Sequence, residues 1–224
     1  LSTAQIVGLT STQALDLTST FVKALTTTQI AAMETRDIAM LSSASVAAIT
    51  TAQLLVLTTA QIVGLSTQQV LELTTATLRA LTTKQIAALE TRDVEVLTSA
   101  NIASLSSVQL QVLTTSQIAS LTTQQVSELS TNTLKYLTTT QIAALETTDL
   151  KVMSTDQLLG LSSSQVQALS TAQIVKLTSV QLGGLSNAAV AALTSNQLSV
   201  LTATELNLLD VVSVSGLTGS QVIG

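Results

Sequence analysis

Apolar residues recur along this chain at two fixed places in every eight. Written in eights from Leu1, the 224 residues make 28 octads with no insertion. Position 1 is leucine except at Met33, Ile49 and Met153, and position 6 is Ile, Val or Leu except at Ala14. Position 2 is Ser or Thr in 24 octads, the exceptions being Glu34, Glu90, Glu146 and Asp210, and position 5 is Gln in 17. Eight residues at about 100° each overshoot two helical turns by roughly 80°. In one unbroken helix the apolar stripe would therefore wind around the axis, and no buried face would exist.

Read as a helix start, the octad makes sense. A Ser/Thr followed three residues later by Gln is a capping box: the hydroxyl accepts from the N3 amide, and Gln reaches back to the N-cap amide. Position 1 then falls at N′ and position 6 at N4, the two sites of the hydrophobic staple. The pattern predicts a helix of about six residues over positions 3 to 8, ended by the next N-cap rather than by proline or an obligatory glycine. The step from position 6 to the next position 1 is three residues, which keeps both on one helical face, whereas strict β alternation would separate them. A β-solenoid is the alternative, since Ser, Thr, Val and Ile suit strands and short repeats often build β-helices. Helices shorter than about 12 residues are marginal alone, so the octads must stack. The expected fold is an all-α solenoid of very short helices, one per octad, with the position-1 and position-6 columns inside. Small residues at position 8 (Gly8, Ala24, Ala32, Gly64) are expected to let turns approach closely.

A longer period of seven octads lies over the first. LTTTQIAA-METRDIAM from Leu25 returns as LTTKQIAA-LETRDVEV from Leu81 and as LTTTQIAA-LETTDLKV from Leu137. The expected organisation is one continuous array, residues 1–224, in four blocks: 1–56, 57–112, 113–168 and 169–224. The last block is the most diverged, ending in LDVVSVSG and LTGSQVIG. If the coil takes about 3.5 octads per turn, a block closes two turns. Otherwise the seven-octad block is only the unit that was duplicated.

Composition removes function classes more than it adds any. Charged residues are 9% of the chain, against roughly 25% in ordinary domains, and Phe21 and Tyr136 are its two aromatic rings. A net charge of −5 with scattered basic residues argues against a nucleic-acid partner. No run of about 18 apolar residues offers a membrane span. Cysteine and histidine are absent, which removes thiolate nucleophiles and the commonest proton-transfer and metal-binding groups. The many hydroxyls sit at capping positions with no histidine to activate them. No enzyme activity, catalytic residue, cofactor-binding residue or metal ligand is expected. The chain opens on Leu1 rather than methionine, so it is expected to be a piece of something longer.

The charges follow the same seven-octad period. Asp16 and Lys23 recur as Glu72 and Arg79 and as Glu128 and Lys135, and both are lost together at Gly184 and Ala191. Each acid is therefore expected to pair with the base one octad on, setting register more than stability. Glu34-Arg36-Asp37 recurs as Glu90-Arg92-Asp93 and in part as Glu146-Asp149. These read as a solvated face, because they lack the loop and the many oxygens that calcium prefers.

The phrase L-[ST]-[ST]-x-Q-[IV] resembles the Ser/Thr/Gln-rich short-period arrays of large bacterial secreted and surface proteins of the adhesin type, over the whole chain. TATELNLLD at residues 202–210 resembles a short repeat of phage tail-fibre proteins. LTTAQIVGLS is also similar to the opening helix of the DNA-reading repeats of TAL effectors, but the octad period and negative charge argue against that reading. The first two likenesses imply a structural or adhesive extracellular role. The expected function is a rod, stalk or filament region of a bacterial extracellular or cell-surface protein, self-associating or stacking end to end. Alternatives are a binding module whose Thr/Ser ladder meets ice, polysaccharide or a cell surface, and a scaffold segment of a large secreted toxin.

Overall fold

Each octad builds one short helix, and the computed structural model describes residues 1–209. The diverged octads LDVVSVSG and LTGSQVIG, Leu209 excepted, lie outside the described residues, as does Asp210 of the tail-fibre-like stretch. Among the described residues there are 26 α-helices and no strand, one helix per octad, so the all-α expectation holds and the β alternative does not.

The helices start as the spacing predicts. All but three are N-capped by Ser or Thr in extended conformation, and in 18 of those 23 both bonds of the capping box are made. In the helix Thr59–Val63, for example, Gln61 N–H donates to Thr58 Oγ1 at 3.2 Å while Gln61 Oε1 accepts from Thr58 N–H at 2.7 Å. They end without glycine's help, since no described residue has positive φ. The chain leaves through two extended residues, as at Leu25 and Thr26, and then the next helix begins. The leaving Leu25 N–H still donates to Val22 O at 3.2 Å, a tight closing turn that recurs along the array.

The chain divides into two compact units, Leu1–Leu113 and Thr114–Gly224. In the first, α1 (Thr3–Val7) packs on α4 (Thr27–Ala32), α2 (Ser11–Leu15) on α5 (Thr35–Met40), and α5 on α8 (Thr59–Val63). The same third-neighbour packing continues up to α11 (Thr83–Ala88) on α14 (Ser107–Gln111). In the second unit α15 (Thr115–Ala119) packs on α18 (Thr139–Ala144), and α16 (Thr123–Ser127) on α19 (Thr147–Val152), which also meets α22 (Thr171–Ile174). Both units are helical solenoids. Position 6 is buried from Ile6 to Leu198, the lone alanine Ala14 included, and position 1 is buried at nearly every octad from Leu25 to Leu201.

Two glycines mark close approach between stacked turns. A Cβ on Gly64 would lie 2.5 Å from Thr35 Cγ2, and one on Gly184 would lie 2.1 Å from Thr155 Cγ2. In both cases position 8 meets position 3 of an octad in the turn before. The expectation holds at these sites; elsewhere position 8 carries Met40 or Tyr136, both exposed, so smallness is a local need.

Candidate functional site

The feature that sequence reasoning missed lies on the far end of the position-5 side chain. From Gln53 to Gln197 every position-5 glutamine is buried, although each belongs to a helix's first turn. Its Oε1 is taken by the N-cap amide, and within each unit its Nε2 points at the turn before. Gln53 Nε2 donates to Leu25 O at 2.7 Å and to Val22 O at 2.9 Å. Gln85 does the same to Leu57 O at 2.9 Å and Leu54 O at 2.7 Å. In the second unit Gln165 reaches Leu137 O at 2.7 Å and Leu134 O at 2.9 Å. In these three the separations are 28 and 31 residues, and Gln61 reaches Met33 O and Ala31 O at 28 and 30.

A helix leaves its last carbonyls without intrahelical partners. Here the next turn's glutamine supplies the donors. The residue must accept at one end and donate at the other, which glutamine does and glutamate does not. Gln5 and Gln13 have no such partner position earlier in this sequence, and they are exposed. The shorter offset is three and a half octads, so a seven-octad block spans two turns. The geometric reading of the long period is the one the structure supports.

Position 5 is not always Gln, and the exceptions follow the same seven-octad period. Phe21, Thr77, Thr133 and Ala189 occupy one site of it, and their helices lack the box. Shorter polar side chains still reach the turn before: Ser45 Oγ donates to Leu17 O at 2.7 Å and Asn101 Nδ2 to Leu73 O at 3.2 Å. Asp37, Asp93 and Asp149 occupy a third site, and here the expectation of a solvated face is corrected. All three are buried, at 0%, 0% and 1% exposure, because they stand in the inward-facing glutamine column. Glu34 and Glu90, at the N-cap, stay 42% and 40% exposed on their side chains, and Arg36 and Arg92 lie outside with them.

Two of the buried acids, Asp93 and Asp149, keep one half of the glutamine's work. Asp93 Oδ2 accepts from Glu90 N–H at 3.1 Å, and Asp149 Oδ2 from Glu146 N–H at 2.9 Å. At Asp37 and Asp93 the other half is missing. Both carboxyl oxygens of Asp37 and Oδ1 of Asp93 are buried without a hydrogen bond. Arg36 Nε approaches Asp37 Oδ1 only to 3.5 Å, being engaged at 2.8 Å with Glu34. Burial pushes the Asp149 carboxyl up to about 6, against the opposing Glu146 amide bond, while the Glu146 carboxylate pushes it further up. Burial raises Asp93 as well, opposed by the Glu90 amide and the Arg92 charge. The fourth copy differs: Glu205 is half-exposed, and Thr202 donates to it through amide and hydroxyl, holding its carboxyl below the ordinary value.

Two of the expected pairs one octad apart do not form: among the described residues no ion pair joins Asp16 to Lys23 or Glu72 to Arg79. Asp16, Glu72 and Glu128 instead end α2, α9 (Thr67–Leu71) and α16 as C-caps. Lys23, Arg79 and Lys135 sit in the last turns of the following helices, where a cation suits the dipole. Among the described residues no three of His, Cys, Asp or Glu gather where they could hold a metal. No described helix is long and apolar enough to cross a membrane.

Three stretches, residues 30–67, 86–123 and 142–179, match the ALTTAQ repeat. Together they cover just over half of the chain, and their starts keep the seven-octad spacing. The chain belongs to the ALTTAQ repeat family. In this chain's octad the six letters fall on a small residue at position 8, the staple leucine, the N-cap, two first-turn residues and the box glutamine. ALTTTQ at residues 24–29, VLTTAQ at residues 56–61 and ALSTAQ at residues 168–173, among others, each differ from it at one letter. A comparison with curated proteins finds no match.

Proposed function

We propose that this ALTTAQ array is a structural repeat region, forming an extended rod, stalk or filament of a bacterial extracellular or surface protein, and that it is not an enzyme. The observation that supports this reading is the glutamine ladder. Each turn offers its helix-end carbonyls to the next and takes those of the one before, so turns can be added with no new chemistry. A seven-octad block restores both the octad phase and the turn register, which suits extension by duplication. End-to-end stacking of copies would use the same contacts. The adhesin-like and tail-fibre-like phrases point the same way. The test is electron microscopy of arrays carrying two, four and eight blocks: particle length is expected to grow in proportion to block number. Compact particles whose longest dimension does not follow block number would refute it.

A second reading, a Thr/Ser ladder that binds ice, polysaccharide or a cell surface, draws on one observation. Position-2 hydroxyls are spent on caps, but position-3 threonines such as Thr27, Thr51, Thr59 and Thr91 are exposed. Thermal hysteresis or glycan retention by the purified array would favour it.

A further inference from the structure

We propose that Asp93 and Asp149 are proton-operated clasps between turns: protonated, each carboxyl donates to the position-1 carbonyl of the turn before, and ionised, it faces that carbonyl with no donor. The acceptors, at the glutamines' shorter offset, are Leu65 O and Leu121 O. Three observations carry this. The acids stand in the column whose buried glutamines donate to carbonyls at that offset. Side chains no longer than aspartate reach across, Asn101 to Leu73 O at 3.2 Å and Ser45 to Leu17 O at 2.7 Å. Buried Oδ1 of Asp93 has no hydrogen-bond partner.

The surroundings do little to hold the charge. Asp149 has Glu146 and Lys151 on its own helix; α16 and α22, packed against it, contain no titratable residue, with Glu128 capping the one and Lys176 just beyond the other. Asp93 has Glu90, Arg92 and Glu95 on its own element, and α9, with none inside it, ends at Glu72. Asp149 has no arginine beside it, consistent with its carboxyl rising to about 6.

The direction follows from linkage. A carboxyl that binds its proton more tightly folded than unfolded gives the folded state extra protons between the two values. Stability from Asp149 is therefore fully present below about 4, the unfolded value, falls as pH rises through about 6, and is gone above. The raised Asp93 carboxyl acts with the same sign.

The experiment follows thermal unfolding of the full chain by circular dichroism from pH 3.5 to 8, with Asp149→Asn, the double variant D93N/D149N, and Asp156→Asn as an exposed control. Asparagine supplies the donor at every pH, as Asn101 does. The double variant is expected to melt above the wild type at pH 7.5 and to converge with it near pH 4, while Asp156→Asn shows no such convergence. A double variant no more stable than wild type at pH 7.5, or more stable by the same amount at every pH, overturns the proposal. If the variants misfold, carbon NMR titration of the wild-type carboxyls decides: Asp149 losing its proton near 4 overturns it, near 6 supports it. A rise in wild-type melting temperature with calcium chloride at pH 7.5, absent in the double variant, also overturns it, by assigning the site to a metal.

Discussion

A buried position-5 glutamine such as Gln85 belongs to two places in the chain at once. Its carbonyl end was legible in the sequence, because both partners of the capping box lie three residues apart. Its amide end was not, because the acceptor lies a full turn of the coil away and finding it requires the pitch. The same gap hid Asp37: treated as a first-turn acid it reads as solvated, and only its membership of the glutamine column shows that it faces inward. The two ends also predict unequal costs. Gln13→Leu removes a cap bond alone and should cost about 1 kcal/mol. Gln85→Leu also strips donors from the buried carbonyls of Leu54 and Leu57 and should cost about 2–4 kcal/mol. Urea unfolding followed by circular dichroism measures both, and equal losses would deny the glutamine its part between turns.

The helices themselves are too short to stand alone, and what they need is supplied at their ends. The staple and cap start them, and the following turn's amides finish them. This much of the fold, helix per octad with apolar columns inward, could be read from positions 1, 2, 5 and 6. Contacts between helices could not be, except where position 8 demands glycine. Gly64→Ala pits better helical backbone, about 1 kcal/mol in its favour, against the Thr35 methyl group. A double-mutant cycle with Thr35→Ser separates the two: the alanine should be tolerated markedly better once the methyl is gone. At Gly8, where a Cβ meets nothing nearer than its own helix's carbonyl at 3.4 Å, Gly8→Ala should simply stabilise. Melting temperatures of these variants beside the wild type test both statements.

Along the array as a whole, the two periods make distinct demands, and deletions can tell them apart. Removing residues 57–112 keeps octad phase and turn register, so ellipticity per residue and cooperativity of melting should survive. Removing residues 57–84 takes out one turn but puts position 5 directly after position 8. It should lower both, and equal behaviour of the two deletions would mean that the three-and-a-half-octad offset is not a structural unit. The half-octad in that offset has a further effect. Within each unit successive turns are laid like courses of brick in running bond, each joint between helices lying against the middle of an octad in the next course. Gln53 sits over such a joint, gripping the end of the helix Ser19–Ala24 and the leucine that opens the next octad. A wall bonded this way has no straight seam, so a crack started at one helix end must break through a helix in the adjoining course before it can run on.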